Sequence, residues 1–287
     1  MKNLVYTKNQ SPLYKLNSKK KLATLLYTDI ANIKKCLANP KRYRNFEKPV
    51  ANKVRSFEPP VGLNKKIHTR IFQLLTRIDD ILEYLHSGVK GRSYVTNAKQ
   101  HQLSQYFLKM DIKDFYPSTG KDKVFLFFYE YLQCSPDVAN MLALLLTNKN
   151  LTNGRHLVQG SCVSQILSFY CNKEMFDEVY KYSKERNITF TLYVDDLSFS
   201  SSQNFDAKEI IKQVSKILHR NGYKVKSSKT KYSKIGNITG VIVKNTKLLV
   251  RNRTHEKIHR LQNKDSKKAK QIIGQARYIE PTFYTKK

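Results

Sequence analysis

Three carboxylates stand apart in a chain that carries 53 Lys and Arg against 22 Asp and Glu. Asp195 and Asp196 interrupt the apolar stretch FTLYVDDLSF at 190–199, whose pattern reads as two short strands joined by a tight turn. Asp111 closes the apolar stretch FLKMD at 107–111, and a loop with Asp114, Phe115 and Tyr116 follows. Adjacent carboxylates repel each other unless cations bridge them. A strand-end Asp and a hairpin Asp pair, brought together, offer oxygen donors for two divalent ions about 3.5–4 Å apart. One ion would lower the pKa of an attacking hydroxyl, and the other would neutralise a triphosphate and its leaving pyrophosphate. Mg2+ suits an all-oxygen site completed by substrate phosphates, and Mn2+ could substitute. The matching chemistry is in-line nucleotidyl transfer. A bare Asp-Asp pair is also common in surface turns, and Asp114 reads as a capping or solvent-facing side chain.

The elements that must position these residues are legible in outline. A strand is expected at 106–111 and a two-strand hairpin at 188–200. Helices are expected at 121–132 and 136–147, in an apolar run from about 161 to Tyr182, and at 206–220, stopped by Asn221-Gly222. Residues 67–86 place Ile67, Ile71, Leu74, Leu75, Ile78, Ile81, Leu82 and Leu85 at helical spacing. Residues 41–66 read as a basic hairpin or loop. Short strands are expected near 223–227, 237–243 and 247–250, before a basic helical tail. This order fits an α+β fold, a mixed or antiparallel sheet with helices on one face.

The net charge is +31 over 287 residues. Between Ile210 and His255 there are 12 Lys or Arg and no acid. Such a segment repels itself unless it faces a polyanion, and nucleic acid is the best match. Phosphate contacts carry no sequence information, so charge alone does not separate DNA from RNA. The longest apolar run, Met141 to Leu146, is far below the roughly 18–20 residues of a bilayer span. No membrane partner is expected. The first residues lack the apolar core of a secretory signal. Cys36, Cys134, Cys162 and Cys171 show no ligand spacing, and they read as thiols of a reducing compartment. A cytoplasmic location is expected.

Four motifs occur in order. YVDD at 193–196 resembles the catalytic motif of reverse transcriptases, and DIKDFY at 111–116 resembles their first catalytic motif. HLVQGSCVSQ at 156–165 is similar to their LPQGxxxSP motif, although Val158 and Gln165 stand where Pro is usual. GYKVKSSKTKY at 222–232 resembles the glycine-lysine motif that follows. NAKQH at 97–101 and ITG at 238–240 resemble the NAxxH and VTG motifs of the bacterial retron reverse transcriptases. The resemblance spans roughly residues 40–250.

The resemblance implies a right-hand polymerase fold with fingers, palm and a short basic thumb. The implied divisions are 1–105 for the N-terminal segment and fingers, 106–240 for the palm with inserted fingers elements, and 241–287 for the thumb. It implies two Mg2+ ions held by Asp111, Asp195 and Asp196 with the backbone carbonyl of Ile112. It implies that Lys53 and Arg55 clamp the incoming deoxynucleoside triphosphate, and that Gln159 and Gly160 position it. Lys229 would face its pyrophosphate. Tyr116 would exclude a 2′-hydroxyl, although beside Pro117 it could equally be core. Asn97 and His101 would organise RNA or brace the fingers–palm junction. Thr239 and Gly240 would approach RNA or primer, and Arg251, Arg253, Lys267, Lys268 and Lys270 would meet the duplex. His156, just before the substrate loop, would at most touch substrate.

For a retron enzyme the resemblance further implies a bacterial host and a cognate structured noncoding RNA primed from a guanosine 2′-hydroxyl. The product would be branched msDNA. It also implies anti-phage defence with an effector on a separate chain, since 287 residues leave little room for a fused one. A non-retron defence or intron-type enzyme is the alternative within the class. An inactive RNA-binding scaffold for an effector is the alternative outside it. Oligomeric state is not legible.

Overall fold

In a computed structural model of the chain, residues 5–50, 53–80, 83–150, 154–261 and 266–281 are described. Helices α1 (Lys19–Leu25) and α2 (Ile30–Ala38) precede strands β1 (Phe46–Val50) and β2 (Lys53–Phe57). Helices α3 (Gly62–Leu75) and α4 (Tyr94–Gln100) lead to β3 (Tyr106–Asp111). Then follow α5 (Phe115–Ser118), α6 (Lys121–Leu126), α7 (Pro136–Leu146), β4 (Thr147–Asn150) and β5 (Gly154–Leu157). Next come α8 (Ser164–Tyr170), α9 (Lys173–Lys184), β6 (Thr189–Tyr193), β7 (Asp196–Ser201) and α10 (Ala207–Arg220). The chain continues through β8 (Lys231–Ser233), β9 (Gly236–Ile238), β10 (Val241–Lys244), β11 (Lys247–Leu249), α11 (Asn252–His259) and α12 (Lys267–Ile279).

Two compact units result, Met1–Leu82 with Asp114–Glu174, and Glu83–Lys113 with Met175–Lys287. Divisions near residues 105 and 240 do not coincide with this one. The chain leaves and re-enters each unit, which composition along the sequence does not reveal.

The second unit is built on an antiparallel sheet of order β6-β7-β3-β8. Side chains alternate across a strand, and register pairs Leu108 with Phe199 and Met110 with Leu197. Phe190 and Leu192 of β6 join them on one face, and all six are buried. The opposite face carries Lys109, Asp111, Asp196, Ser198, Ser200, Thr191 and Tyr193. One apolar and one polar face is the pattern expected of an antiparallel sheet. Helix α10 begins at Asp206, whose side chain accepts from the Lys208 and Glu209 N–H groups, and ends before Gly222 at φ +79°. A smaller sheet, β11-β10-β9, buries Ile238, Val241 and Val243 with Val95, Ala98 and Phe107. Gly236 is required there, because a Cβ would lie 2.8 Å from the Phe107 ring. Helices α11 and α12 share an apolar contact of Val250, Ile258 and Ala276.

The first unit packs α3 against α7 and α8. Their buried stripes are Ile67, Ile71, Leu74 and Leu75, then Val138, Leu142 and Leu145, then Ile166 and Leu167. Two antiparallel hairpins, β1-β2 and β4-β5, complete it.

Several expected elements differ. The helix over 67–86 starts earlier and ends at Leu75. Ile78 and Leu85 instead make isolated bridges to Tyr6 and Leu192, while Ile81 and Leu82 lie outside the described residues. Apolar spacing alone did not distinguish helix from extended chain there. The expected long helix to Tyr182 is two, broken at Asn172, whose side chain donates to the Ser168 carbonyl. Of the strand near 223–227, only a bridge from Val225 to Ile112 forms, and the regular strand is β8.

Candidate active site

Asp111 and Asp196 are direct cross-strand partners on β3 and β7. Residues so paired hold their Cβ atoms roughly 4.5–5.5 Å apart, and like charges there repel. Two lysines answer that repulsion. The Lys229 ammonium pairs with Asp111, and Lys109 Nζ lies 3.0 Å from Asp196 Oδ1. Lys109 precedes Asp111 by two residues on β3 and therefore shares its face. Lys229 sits in a 3-10 turn at Ser227–Lys229, anchored by a 2.8 Å bond from the Lys226 N–H to the Asp111 carbonyl. Burial works against charge on Lys229, but the hydrogen bond to Asp111 and the field of the three carboxylates raise its pKa. Among the described residues no lysine pairs with Asp195, although the Lys229 charge pulls its pKa down slightly. Burial first, then repulsion from Asp196 and Asp111, pushes it up to about 6.

Asp195 is aimed by a tight turn. Register pairs Tyr193 with Asp196, so Val194 and Asp195 form a two-residue loop. Val194 has φ +60°, unusual for a β-branched residue. Its N–H donates to Ser87 Oγ at 2.9 Å, and the Ile112 N–H donates to the Asp195 carbonyl at 3.0 Å. The turn is thus held from two sides. Backbone strain of this kind costs on the order of 1–3 kcal/mol and persists where surroundings impose it.

The donor set fits Mg2+. Among the described residues, no three carboxylate, His or Cys side chains form a ready-made metal cage. Mg2+ seldom uses one, and it is held by one or two carboxylates with waters and substrate phosphates. Asp111, Asp195 and Asp196 supply only oxygen, and the raised Asp195 marks a place where positive charge is lacking. Asp114 is exposed at φ +48°, which agrees with a solvent-facing role.

Apart from Lys229, which is in the second unit, the residues expected to meet a nucleotide lie in the first unit, in three segments joined by backbone. Glu58, one residue past β2, donates its N–H to the Gln159 carbonyl at 2.8 Å. The Leu157 N–H donates to the Thr119 carbonyl at 3.0 Å, and Gly120 bridges His156. These bonds connect the hairpin bearing Arg55, the turn bearing Tyr116 and the loop bearing Gln159 and Gly160. Tyr116 is half-buried beside Phe115 in α5. Gly160 has φ +108°, and a Cβ would stand 3.3 Å from Pro59, so its first close approach is to the hairpin end. Arg55 is exposed directly opposite Lys48, a like-charge pair that an anion would relieve. Lys53 lies in β2, and its side chain is outside the described set.

The RNA-contact expectation needs correction for two residues. Asn97 and His101 are both 0% exposed and present no surface to RNA. The His101 ring nitrogens lie 2.7 Å from Ser200 Oγ and 2.7 Å from Thr191 Oγ1, fixing α4 to the polar sheet face. Asn97 Nδ2 donates to Thr239 Oγ1 at 3.3 Å. The two retron-like motifs therefore touch each other within this unit. Thr239 and Gly240 are half-buried, with φ +45° and +98°. The Arg251 guanidinium lies over Gly240, 3.2 Å from where a Cβ would be, and donates to Asn237 Oδ1 at 2.7 Å. Burial lowers its pKa, against the pull of Asp196. Arg253, Lys267, Lys268 and Lys270 are exposed on α11 and α12. His156 is buried, and it pairs with Glu58.

Sequence reading missed Lys109, Ser87 and Glu58. For Lys109 a signal existed, the period-two spacing to Asp111. Ser87 and Glu58 had none, since their partners lie 107 and 98 residues away along the chain (194 − 87; 156 − 58).

Comparison with known proteins agrees with this geometry. The family model described as reverse transcriptase (RNA-dependent DNA polymerase) matches residues 39–264. The Retron Se72 reverse transcriptase of Salmonella heidelberg is 30% identical over 61% of this chain and 45% of its own length. The Retron Ec48 reverse transcriptase of Escherichia coli is 26% identical over 79% of this chain and 57% of its own. The chain thus spans about half the length of these curated relatives. A foamy viral protease-reverse transcriptase in complex with double-stranded DNA superposes with a TM-score of 0.51 at 14% identity. It covers 81% of this chain and 35% of the viral one, a likeness of fold.

Proposed function

Because the chain belongs to the reverse transcriptase family and resembles its retron members, we propose that it is an RNA-directed DNA polymerase that makes msDNA. It copies a cognate structured noncoding RNA, starting from a guanosine 2′-hydroxyl of that RNA. The attacking hydroxyl displaces pyrophosphate from a deoxynucleoside triphosphate, and each new 3′-hydroxyl repeats the step. The observation that carries this reading is the cross-strand pair Asp111 and Asp196 with Asp195 beside it in the turn.

Asp111, Asp195, Asp196 and the Ile112 carbonyl would hold two Mg2+ ions, which would lower the pKa of the attacking hydroxyl and neutralise the departing pyrophosphate. The protein's own groups do the rest. Arg55, with Lys53, binds the triphosphate. Gln159 and Gly160 set the position of the nucleotide. The Tyr116 ring leaves no room for a ribose 2′-hydroxyl. Lys229 holds Asp111 in place and offers a cation at the phosphate end. The exposed cations of α11 and α12 bind duplex phosphates without reading sequence.

We place the protein in a bacterial anti-phage retron, in the cytoplasm, with a separate effector chain. Among the described residues no helix is long and apolar enough to cross a membrane. The test is purification from the native locus followed by sequencing of bound nucleic acid. Single-stranded DNA joined through a 2′-linkage to a small structured RNA is the expected product. Its absence, with unlinked cDNA instead, would favour a non-retron reverse transcriptase.

A further inference from the structure

Glu58 and His156 are both buried, 8% and 2% exposed, and they face each other at 3.6 Å between Glu58 Oε1 and His156 Nε2. The other Glu58 oxygen accepts from Asn148 Nδ2 at 2.7 Å. His156 Nδ1 lies 3.1 Å from the Gly154 carbonyl, and the Asn150 amide nitrogen lies 3.4 Å from Nε2. A buried charged pair costs several kcal/mol of desolvation per ion and is weak evidence of stability alone. Its position is what matters. Glu58 follows β2, the strand of Arg55, and its own N–H holds the Gln159 carbonyl. His156 lies on β5, three residues before Gln159, and bridges Gly120 in the segment that follows Tyr116.

We infer that Glu58 and His156 are positioning residues that hold the three nucleotide-contacting segments in one register. The inference rests on the reading of Arg55, Tyr116 and Gln159 as nucleotide contacts. Neither Glu58 nor His156 touches the nucleotide. Their pair fixes the hairpin end to the substrate loop from the side chains, as the Glu58 N–H does from the backbone. Breaking it leaves the carboxylates of the second unit intact and lets the nucleotide-binding segments drift. Segments that drift bind the nucleotide less well in ground state and transition state alike, which raises KM without changing kcat. Burial works against charge on His156, but Glu58 and the Gly154 carbonyl outweigh it and raise its pKa, which favours the charged pair.

The test is steady-state primer extension on an RNA template, with active enzyme counted by burst amplitude. Glu58→Gln, His156→Gln and the double variant are compared with Gln159→Ala. Asn148→Ala, at a half-buried position, serves if the buried substitutions do not fold. Each single clamp variant raises KM for dNTP about tenfold with kcat per active site nearly unchanged, and Asn148→Ala raises it less. The double variant matches the worse single rather than their product, as expected of one coupled interaction. A merely structural role gives fewer active molecules, a lower melting temperature and an unchanged KM, and that result overturns the inference. Raised KM in Gln159→Ala with normal KM in the clamp variants overturns the clamp alone. Normal KM in Gln159→Ala removes the reading of the loop, and the clamp's purpose with it.

Discussion

The ammonium of Lys109 lies 3.0 Å from the Asp196 carboxylate, while Lys229 pairs with Asp111, the cross-strand partner of Asp196. Two lysines thus hold apart two acids that register forces together. The pair is only partly exposed, 27% and 23% for the two side chains. Lys109→Ala should therefore lower stability by roughly 1 kcal/mol. Mg2+ binding to the freed carboxylates should restore much of it, since a ligand of the native state stabilises it. Melting temperatures in EDTA and in Mg2+ check this. A deficit of equal size in both conditions contradicts the arrangement.

Val194 keeps its positive φ because Ser87 and Ile112 hold the turn on either side. Ser87→Ala removes one of these bonds and should cost about 1 kcal/mol. Loss of activity should exceed what unfolding explains, because Asp195 is aimed by the same turn. Urea unfolding and primer extension on one preparation measure both. Full activity in Ser87→Ala would show that the turn needs no such support.

For Tyr116 the expected outcome concerns selectivity. Tyr116→Ala opens the space beneath the sugar, so ribonucleotide incorporation rises relative to deoxynucleotide. The ratio of kcat/KM values for matched dNTP and rNTP measures it. An unchanged ratio returns Tyr116 to a packing role beside Phe115.

Buried histidines give the fold a pH dependence. Burial lowers His68 and His86 to about 4 and His101 to about 3. Each binds its proton first in the unfolded chain, near the ordinary value of about 6.5. Stability is therefore complete above pH 6.5 and falls as pH drops toward these folded values, by up to about 1.4 kcal/mol per pH unit per histidine. His156 and Asp195, both raised, work in the opposite sense. Comparison with His101→Gln isolates one group. Its unfolding free energy should be flatter between pH 4.5 and 6.5 by about one proton. An identical slope would mean His101 is already accessible to protons in the native state.

Much of the second unit was legible in sequence. The apolar stretches at 107–111 and 190–199 were read as the three strands β3, β6 and β7 with the turn between the last two, and the helix expected over 206–220, stopped by Asn221-Gly222, is α10. The catalytic candidates were legible because acids are rare in this chain. Three things were not. Helical spacing past Leu75 came from residues buried by different partners. Asn97 and His101 looked like polar contacts, yet the acceptors that bury them lie on β6, β7 and the 239–240 turn, far along the chain. The Glu58–His156 pair joins strands separated by about a hundred residues, and nothing local announces it.

The central claim is that Asp195 and Asp196, with Asp111, carry metal-dependent DNA synthesis on RNA. Asp195→Asn combined with Asp196→Asn tests it most directly, in a primer-extension assay with Mg2+ beside a binding assay for the cognate RNA. The account predicts that DNA synthesis falls to background while RNA binding is retained. DNA synthesis at the wild-type rate in that double variant would contradict it.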